Sequence, residues 1–376
     1  MASNLRSPVS RRTVSLIRHA WGPRICLHAP RARESLVAWQ YQTRYRHTTP
    51  TQPKDSIPEQ RLPEGSTKSS QYVETQHGHP ESEVPLNYYQ FVPRKTRYLR
   101  PAIFSIGLSA GLFALLSYLD ARAQVEHEKK PRVHIKPYYR PGEVTTPTEV
   151  LSRTWEYLHP VSKMTAGIIG TNVGVHLATT LLPSFRSVLA HTPALNQNYS
   201  LFTSIFAHSG AFHLGINMYA CYMFMPPVAV SRAFEGDPYH VLSFFLSTGV
   251  LSSYAQHFST IFSDPAKALR AGKVPETMIP SLGASGALFG LLAVFAMQYP
   301  DAGLGIMFLP FSIAAKNMLP MVMAFDAYGA VRGYPGLHLG HAAHLGGALM
   351  GVAYSYLDGK DRLWKPLVRF WKRRLQ

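Results

Sequence analysis

The stretch Ser281-Leu-Gly-Ala-Ser-Gly-Ala-Leu-Phe-Gly290 opens an apolar run that continues to Gln298. Ser285 therefore stands between Gly283 and Gly286 at the mouth of a predicted membrane helix. A serine at a helix start often does no more than cap it. What raises this one is a second stretch, Gly340-His341-Ala-Ala-His344-Leu-Gly-Gly347-Ala-Leu-Met-Gly351, which also opens an apolar span. Both carry glycines four apart, Gly286/Gly290 and Gly347/Gly351. Such spacing lets two membrane helices approach closely and brings the residues at their ends together. The pair reads as a serine nucleophile and a histidine base inside a bilayer.

Working outward, apolar blocks recur along the chain. Pro101 to Leu119 is about nineteen residues without a charge, long enough to cross a bilayer. Six more spans follow, at about 164–182, 212–230, 241–258, 284–298, 302–325 and 341–357. Pro226-Pro227 bends or ends the second of these, and Pro310, Lys316 and Pro320 interrupt the fifth. The expected fold is an all-α polytopic membrane protein, a six-helix core over 161–358 preceded by one extra transmembrane helix over 101–119. Between them lies a linker, 120–160, in which Glu149 to Leu158 is expected to form a short interfacial helix. The tail 359–376 is basic and holds Trp364 and Trp371, in the manner of an interfacial anchor.

Residues 1–50 contain nine arginines, Arg6 to Arg46, and one acid, Glu34, with serines between and no continuous apolar core. Arg-rich, Ser-containing and acid-poor is the composition of a mitochondrial transit peptide. Residues 51–100 are polar and Pro-containing, expected to be disordered, and end in a basic patch. The net charge of +17 does not indicate nucleic acid, because the basic residues gather at the ends and in linkers rather than on one face. The two cysteines, Cys26 and Cys221, provide no disulfide framework. Cys221 sits deep in an apolar segment, a poor place for a nucleophilic thiol.

Each span reverses direction, so the second, fourth and sixth core spans begin on one membrane face. The second begins Phe206-Ala-His208-Ser-Gly-Ala-Phe-His213-Leu-Gly-Ile-Asn217. His213 and Asn217 are four apart and share a helix face. Polar side chains inside a membrane are costly and mark function or interhelical pairing. In acyl transfer they would complete an oxyanion hole with the backbone N–H of Ser285, and His208 could bond to the same region. Ser285 would attack, and His344 would remove its proton and hand it to the leaving amine. No Asp or Glu lies inside the second, fourth or sixth span, so the expected catalytic unit is a dyad. Phe289, one turn after Ser285, could pack on the imidazole or simply on a neighbouring helix.

His338, His341 and His344 recur every three residues, but no H-E-x-x-H motif, nearby carboxylate or cysteine completes a metal site. No metal or cofactor is expected. Lys316 and Asp326, in or near the fifth core span, are read as snorkelling or interfacial residues rather than a proton relay.

Together these residues resemble the rhomboid family of intramembrane serine proteases, in the mitochondrial presenilin-associated rhomboid-like branch. The match is the G-x-S-G of Gly283 to Gly286, the A-H-x-x-G-x-x-x-G of Ala343 to Gly351, and His208, His213 and Asn217 in H-x-x-x-x-H-x-x-x-N order. The resemblance implies a Ser285–His344 dyad and an oxyanion hole from His213, Asn217 and the serine amide. It also implies a multi-pass protein of the mitochondrial inner membrane, embedded in lipid, whose substrates are single-span membrane proteins. In fungal mitochondrial members these include a dynamin-like GTPase and cytochrome c peroxidase. The Trp-Arg pair frequent in the first loop of many rhomboids is missing between Pro183 and Thr203.

Two other functions compete with proteolysis: an inactive rhomboid-like binder of transmembrane helices, and a transporter built on the histidine cluster. Retention of both Ser285 and His344 argues against the first. The second requires His338 and His341 to matter as much as His344. The fifth core span, weakened by prolines and followed by the Gly-rich stretch 329–340, is the expected gate for substrate.

Overall fold

A computed structural model describes residues 95–129, 146–305, 311–334 and 339–376. The expected transit peptide and tether, His338 and most of the linker's first half lie outside the described residues. Twelve α-helices are present among the described residues, with short 3-10 turns and one π turn between them: α1 Leu99–Lys129, α2 Pro147–Tyr157, α3 Pro160–Leu181, α4 Pro183–Leu189, the single turn α5 Ser200–Thr203, α6 Ala211–Ala229, α7 Pro238–Ser259, α8 Pro265–Arg270, α9 Ser285–Gln298, α10 Ala315–Arg332, α11 His341–Tyr356 and α12 Lys365–Leu375. Two three-residue strands, β1 Gly303–Gly305 and β2 Ser312–Ala314, pair antiparallel with Leu304 opposite Ile313.

The sequence starts these helices with local chemistry. Proline occupies the first turn of α2, α3, α4, α7 and α8, where its missing N–H costs nothing. Asp237 caps α7 by accepting from the backbone N–H of Tyr239 and His240. Thr146 caps α2 through the N–H of Glu149.

α7 is the central helix. It packs against α1, α9 and α11, and buries Phe244, Phe245, Thr248, Gly249, Val250 and Ser252. Its small residues let neighbours close in: a Cβ on Gly249 would meet Ile205, and one on Gly290 would meet Thr248. Leu288, Leu291 and Val294 of α9 and Met218, Cys221 and Met225 of α6 complete the main core. By length and composition α1 is apolar and long enough to cross a membrane, and α9 is a shorter apolar helix of the same kind.

Three expectations need correction. First, α1 does not stop at Leu119 but continues for ten residues, to Lys129. The extension is polar yet helical because partners lie one turn apart: Gln124 donates to Asp120 and Arg122 to Glu126. Second, the apolar stretch 302–325 is not one span. Its first part supplies β1 and β2, and the helix begins only at Ala315 and runs on to Arg332. Lys316, in the first turn of α10, pairs with Asp301 at 2.7 Å. Third, Trp364 is not an interfacial anchor. It is 3% exposed, stacks on His240 and donates its indole N–H to Asp237 at 2.9 Å. Trp371 packs edge-on against Tyr118 of α1. The basic tail thus forms α12 and straps α1, with Lys372 bonded to Glu128.

Candidate active site

The site is built where α6, α9 and α11 begin. Upstream of α9 the chain is held rigidly before it reaches Ser285. The backbone of Ser281 exchanges two hydrogen bonds with His191, at 2.8 and 2.9 Å, and the N–H of Gly283 donates to the carbonyl of Ser204 at 2.8 Å. Gly283 then adopts φ +125°, a conformation open to glycine and strained for other residues. Ser285 follows as the first residue of α9, where backbone N–H groups have no partner inside the helix.

His344 lies one turn into α11. Its Nε2 is 2.9 Å from the Ser285 hydroxyl. The imidazole stacks almost parallel on Phe289, with ring centroids 4.2 Å apart. The approach of the two helices depends on glycine. A Cβ on Gly347 would overlap the carbonyl oxygen of Gly286, and one on Gly351 would overlap that of Gly290. Gly286 itself faces Ser252 of α7. No larger residue fits at these crossings without pushing the elements apart.

His213 and Asn217 come from the start of α6. The His213 ring lies over Gly283: a Cβ there would be 2.9 Å from Cε1, 3.1 Å from Nε2 and 3.9 Å from the Ser285 hydroxyl oxygen. The missing side chain of Gly283 therefore leaves a small space faced by both the His213 imidazole and the serine oxygen. Ser209 Oγ and His213 Nδ1 are 3.0 Å apart. With Ser209 donating, the His213 proton sits on Nε2 and points into that space. Asn217 is buried, and its amide donates to the carbonyl of His213 at 2.8 Å, leaving a second N–H on the same nitrogen. His208, in the loop before α6, is fully buried and packs edge-on against His213 with centroids 5.1 Å apart. Burial, and then the neighbouring His213, push its pKa down to about 4, so this ring is neutral near pH 7.

One neighbour of His344 was misread from the sequence. Asp326 of α10 is not interfacial; it is 1% exposed. Its Oδ1 accepts from His341 Nδ1 at 2.6 Å and from His344 Nδ1 at 3.2 Å. The His341 ring reaches it by lying flat on Gly329, where a Cβ would come within 2.6 Å of three ring carbons. The signal was present in the chain, since a carboxylate in an apolar stretch is expensive and calls for a partner. No described cluster of His, Cys, Asp and Glu could hold a metal ion.

Residues 195–361, which contain every residue of this site except His191, match the Rhomboid domain. Over that stretch the chain is similar to the rhomboid family. Among similar rhomboids is presenilin-associated rhomboid-like protein A, mitochondrial, of Danio rerio, 29% identical over 343 residues, covering 82% of this chain and 84% of that one. The Homo sapiens presenilin-associated rhomboid-like protein, mitochondrial, is 29% identical over 289 residues, covering 73% and 70%. Rhomboid protein 1, mitochondrial, of Saccharomyces cerevisiae is 29% identical over 212 residues, covering 55% and 56%. The rhomboid domain of this chain begins after α4, so α1 to α4 lie outside the matched residues.

Proposed function

We propose that this rhomboid is an intramembrane serine endopeptidase of the mitochondrial inner membrane. It would cross the membrane with α3, α6, α7, α9, α10 and α11 as its core, and with α1 as an additional span. The observation that carries the reading is the 2.9 Å contact between Ser285 Oγ and His344 Nε2 at the mouths of two tightly packed helices.

The chemistry follows from the geometry. Ser285 Oγ attacks the scissile carbonyl carbon as His344 Nε2 takes its proton. The carbonyl oxygen becomes an oxyanion and meets the backbone N–H of Ser285, the His213 Nε2–H and the Asn217 amide. His208 supports the His213 ring from behind. The C–N bond then breaks, and the proton on His344 passes to the departing amine. A water molecule gives His344 a proton and attacks the acyl ester, and the serine leaves with that proton. Phe289 fixes the imidazole plane throughout.

Substrates would be single-span membrane proteins, with a dynamin-like GTPase and cytochrome c peroxidase as candidates by family resemblance. The outward apolar faces of α6 (Phe212, Ile216, Tyr219) and α10 (Met321, Phe325, Tyr328) are exposed and suit contact with lipid or a substrate helix. α10 remains the proposed gate.

A fluorophosphonate probe applied to the full-length protein in lipid tests the reading. Labelling of the wild type that vanishes in Ser285→Ala and falls sharply in His344→Ala is expected. A folded wild type that takes no label would favour a rhomboid that only binds transmembrane helices.

A further inference from the structure

The proposed dyad leaves one requirement unmet. A neutral imidazole carries a single N–H, and His344 can act on Ser285 only when that hydrogen sits on Nδ1 and leaves Nε2 as an acceptor. Nothing in α9 or α11 selects this tautomer. Asp326 on α10 does: a carboxylate oxygen accepts, so its 3.2 Å contact with His344 Nδ1 places the hydrogen there.

We propose that Asp326 is a third member of the unit, a positioning residue that fixes the tautomer and ring orientation of His344. His341 would be its support. The proposal rests on the protease reading above.

Three observations favour it over a purely structural carboxylate. Asp326 is buried in an apolar helix, where an unpaired charge is strongly destabilising and where polar groups tend to be kept for function. It shares one oxygen between two histidines rather than forming a private pair with either. His344 is also pinned from its other side by Phe289, so the Asp326 contact and the Ser285 contact complete a fully constrained ring. The competing reading is that Asp326 exists to satisfy His341, with which it makes the shorter contact. In that case His344 would be a bystander.

The two readings separate on kinetics. Wild type, Asp326→Asn, Asp326→Glu and His341→Gln would be reconstituted as full chains in proteoliposomes with a fluorogenic transmembrane peptide. Melting temperatures would be measured beside kcat and KM. Loss of the equivalent carboxylate in a soluble serine protease lowers kcat by about 10⁴-fold through the wrong tautomer. Here Asp326→Asn is expected to lower kcat by about 10²-fold or more with KM within about twofold. Asp326→Glu should recover part of that loss, and His341→Gln should lose much less than Asp326→Asn.

Equal losses in Asp326→Asn and His341→Gln, tracking equal losses in melting temperature, would overturn the proposal. So would a folded Asp326→Asn with wild-type kcat. If Asp326→Asn does not fold, the Asp326→Glu and His341→Gln pair decides. Glu working better than the Gln variant supports positioning, and the reverse refutes it. Ser285→Ala run in parallel keeps the outcomes distinct. Residual cleavage in Ser285→Ala sinks the protease reading itself, whereas its absence together with an active Asp326→Asn sinks only the role of Asp326.

Discussion

Gly347→Ala tests whether the closeness of two helices sets the reactive geometry. A Cβ at residue 347 would overlap the carbonyl oxygen of Gly286 and lie 2.8 Å from its carbonyl carbon and 3.4 Å from its Cα. Comfortable carbon–carbon separation is about 3.5–4.0 Å. Relieving the carbonyl-carbon contact alone therefore moves α11 off α9 by about 1 Å, and relieving the overlap with oxygen moves it further. That displacement falls next to Ser285 and one turn from His344. The 2.9 Å contact between them would stretch toward 4 Å, beyond hydrogen-bond reach. A misplacement of this size costs on the order of 10²-fold in rate. Stability changes less, because about 1–3 kcal/mol of overpacking is offset by up to ~1 kcal/mol of helix propensity gained over glycine. The assay is cleavage of a fluorogenic transmembrane peptide in proteoliposomes, with fluorophosphonate labelling as a second readout. Gly174→Ala, on α3 where an added Cβ meets nothing within 4 Å, serves as the control. A folded Gly347→Ala enzyme within twofold of wild type would refute the idea that this crossing governs the Ser285–His344 distance.

Two further outcomes follow from other positions. Gly283→Ala forces an L side chain to φ +125° and into the His213 ring, so about 1–3 kcal/mol of strain is expected together with a roughly 10²-fold loss of cleavage as the His213 donor is displaced; wild-type rates at unchanged melting temperature would contradict it. Asp237, at the foot of α7 outside the span, has its pKa raised to about 7 by burial and then by the nearby Asp120 carboxylate of α1. The folded state holds this proton more tightly than the unfolded chain, so its stabilising effect is complete below the ordinary carboxylate range and is lost as pH rises through about 7. The melting temperature in lipid should therefore fall as pH rises from about 4 to about 7 and level off above that, and Asp120→Asn should flatten the fall. A flat wild-type profile would count against a carboxyl pair at this joint.

The sequence carried some of this structure openly and hid the rest for identifiable reasons. Ser285 and His344 could be paired because each opens an apolar run with glycines at a four-residue interval, and both the motif and the alternation of span direction are local, periodic signals. The spacing of Phe289 one turn after Ser285 left two packing partners open, the imidazole or a neighbouring helix, because the choice depends on how two helices meet; the structure stacks it on His344. Asp326 was misread because its partners lie 15 and 18 residues downstream on another helix, and an isolated carboxylate beside broken hydropathy looks like a surface charge. The hairpin of β1 and β2 was absorbed into an apolar span, since Leu304 and Ile313 raise hydropathy as well in a strand as in a helix. Trp364 looked interfacial because aromatics beside lysines usually are. Its burial depends on Asp237 being 127 residues away in sequence and 2.9 Å away in space.

The imidazole relay beside the nucleophile loop has a consequence for how the chain is handled. The carbonyl of Arg97, just ahead of α1, accepts from His257 at the end of α7, and His257 bonds in turn to His191 at 2.8 Å. The His191 backbone clamps Ser281, four residues before the nucleophile. α1 lies outside the matched rhomboid domain, yet it is mechanically in series with Ser285 through two rings and a β-bridge. Loss of Arg97 together with α1 would remove the acceptor that orients the His257–His191 pair behind the Ser281 segment. α1 is therefore part of the framework that holds the segment before Ser285 and not a detachable appendage to the matched domain.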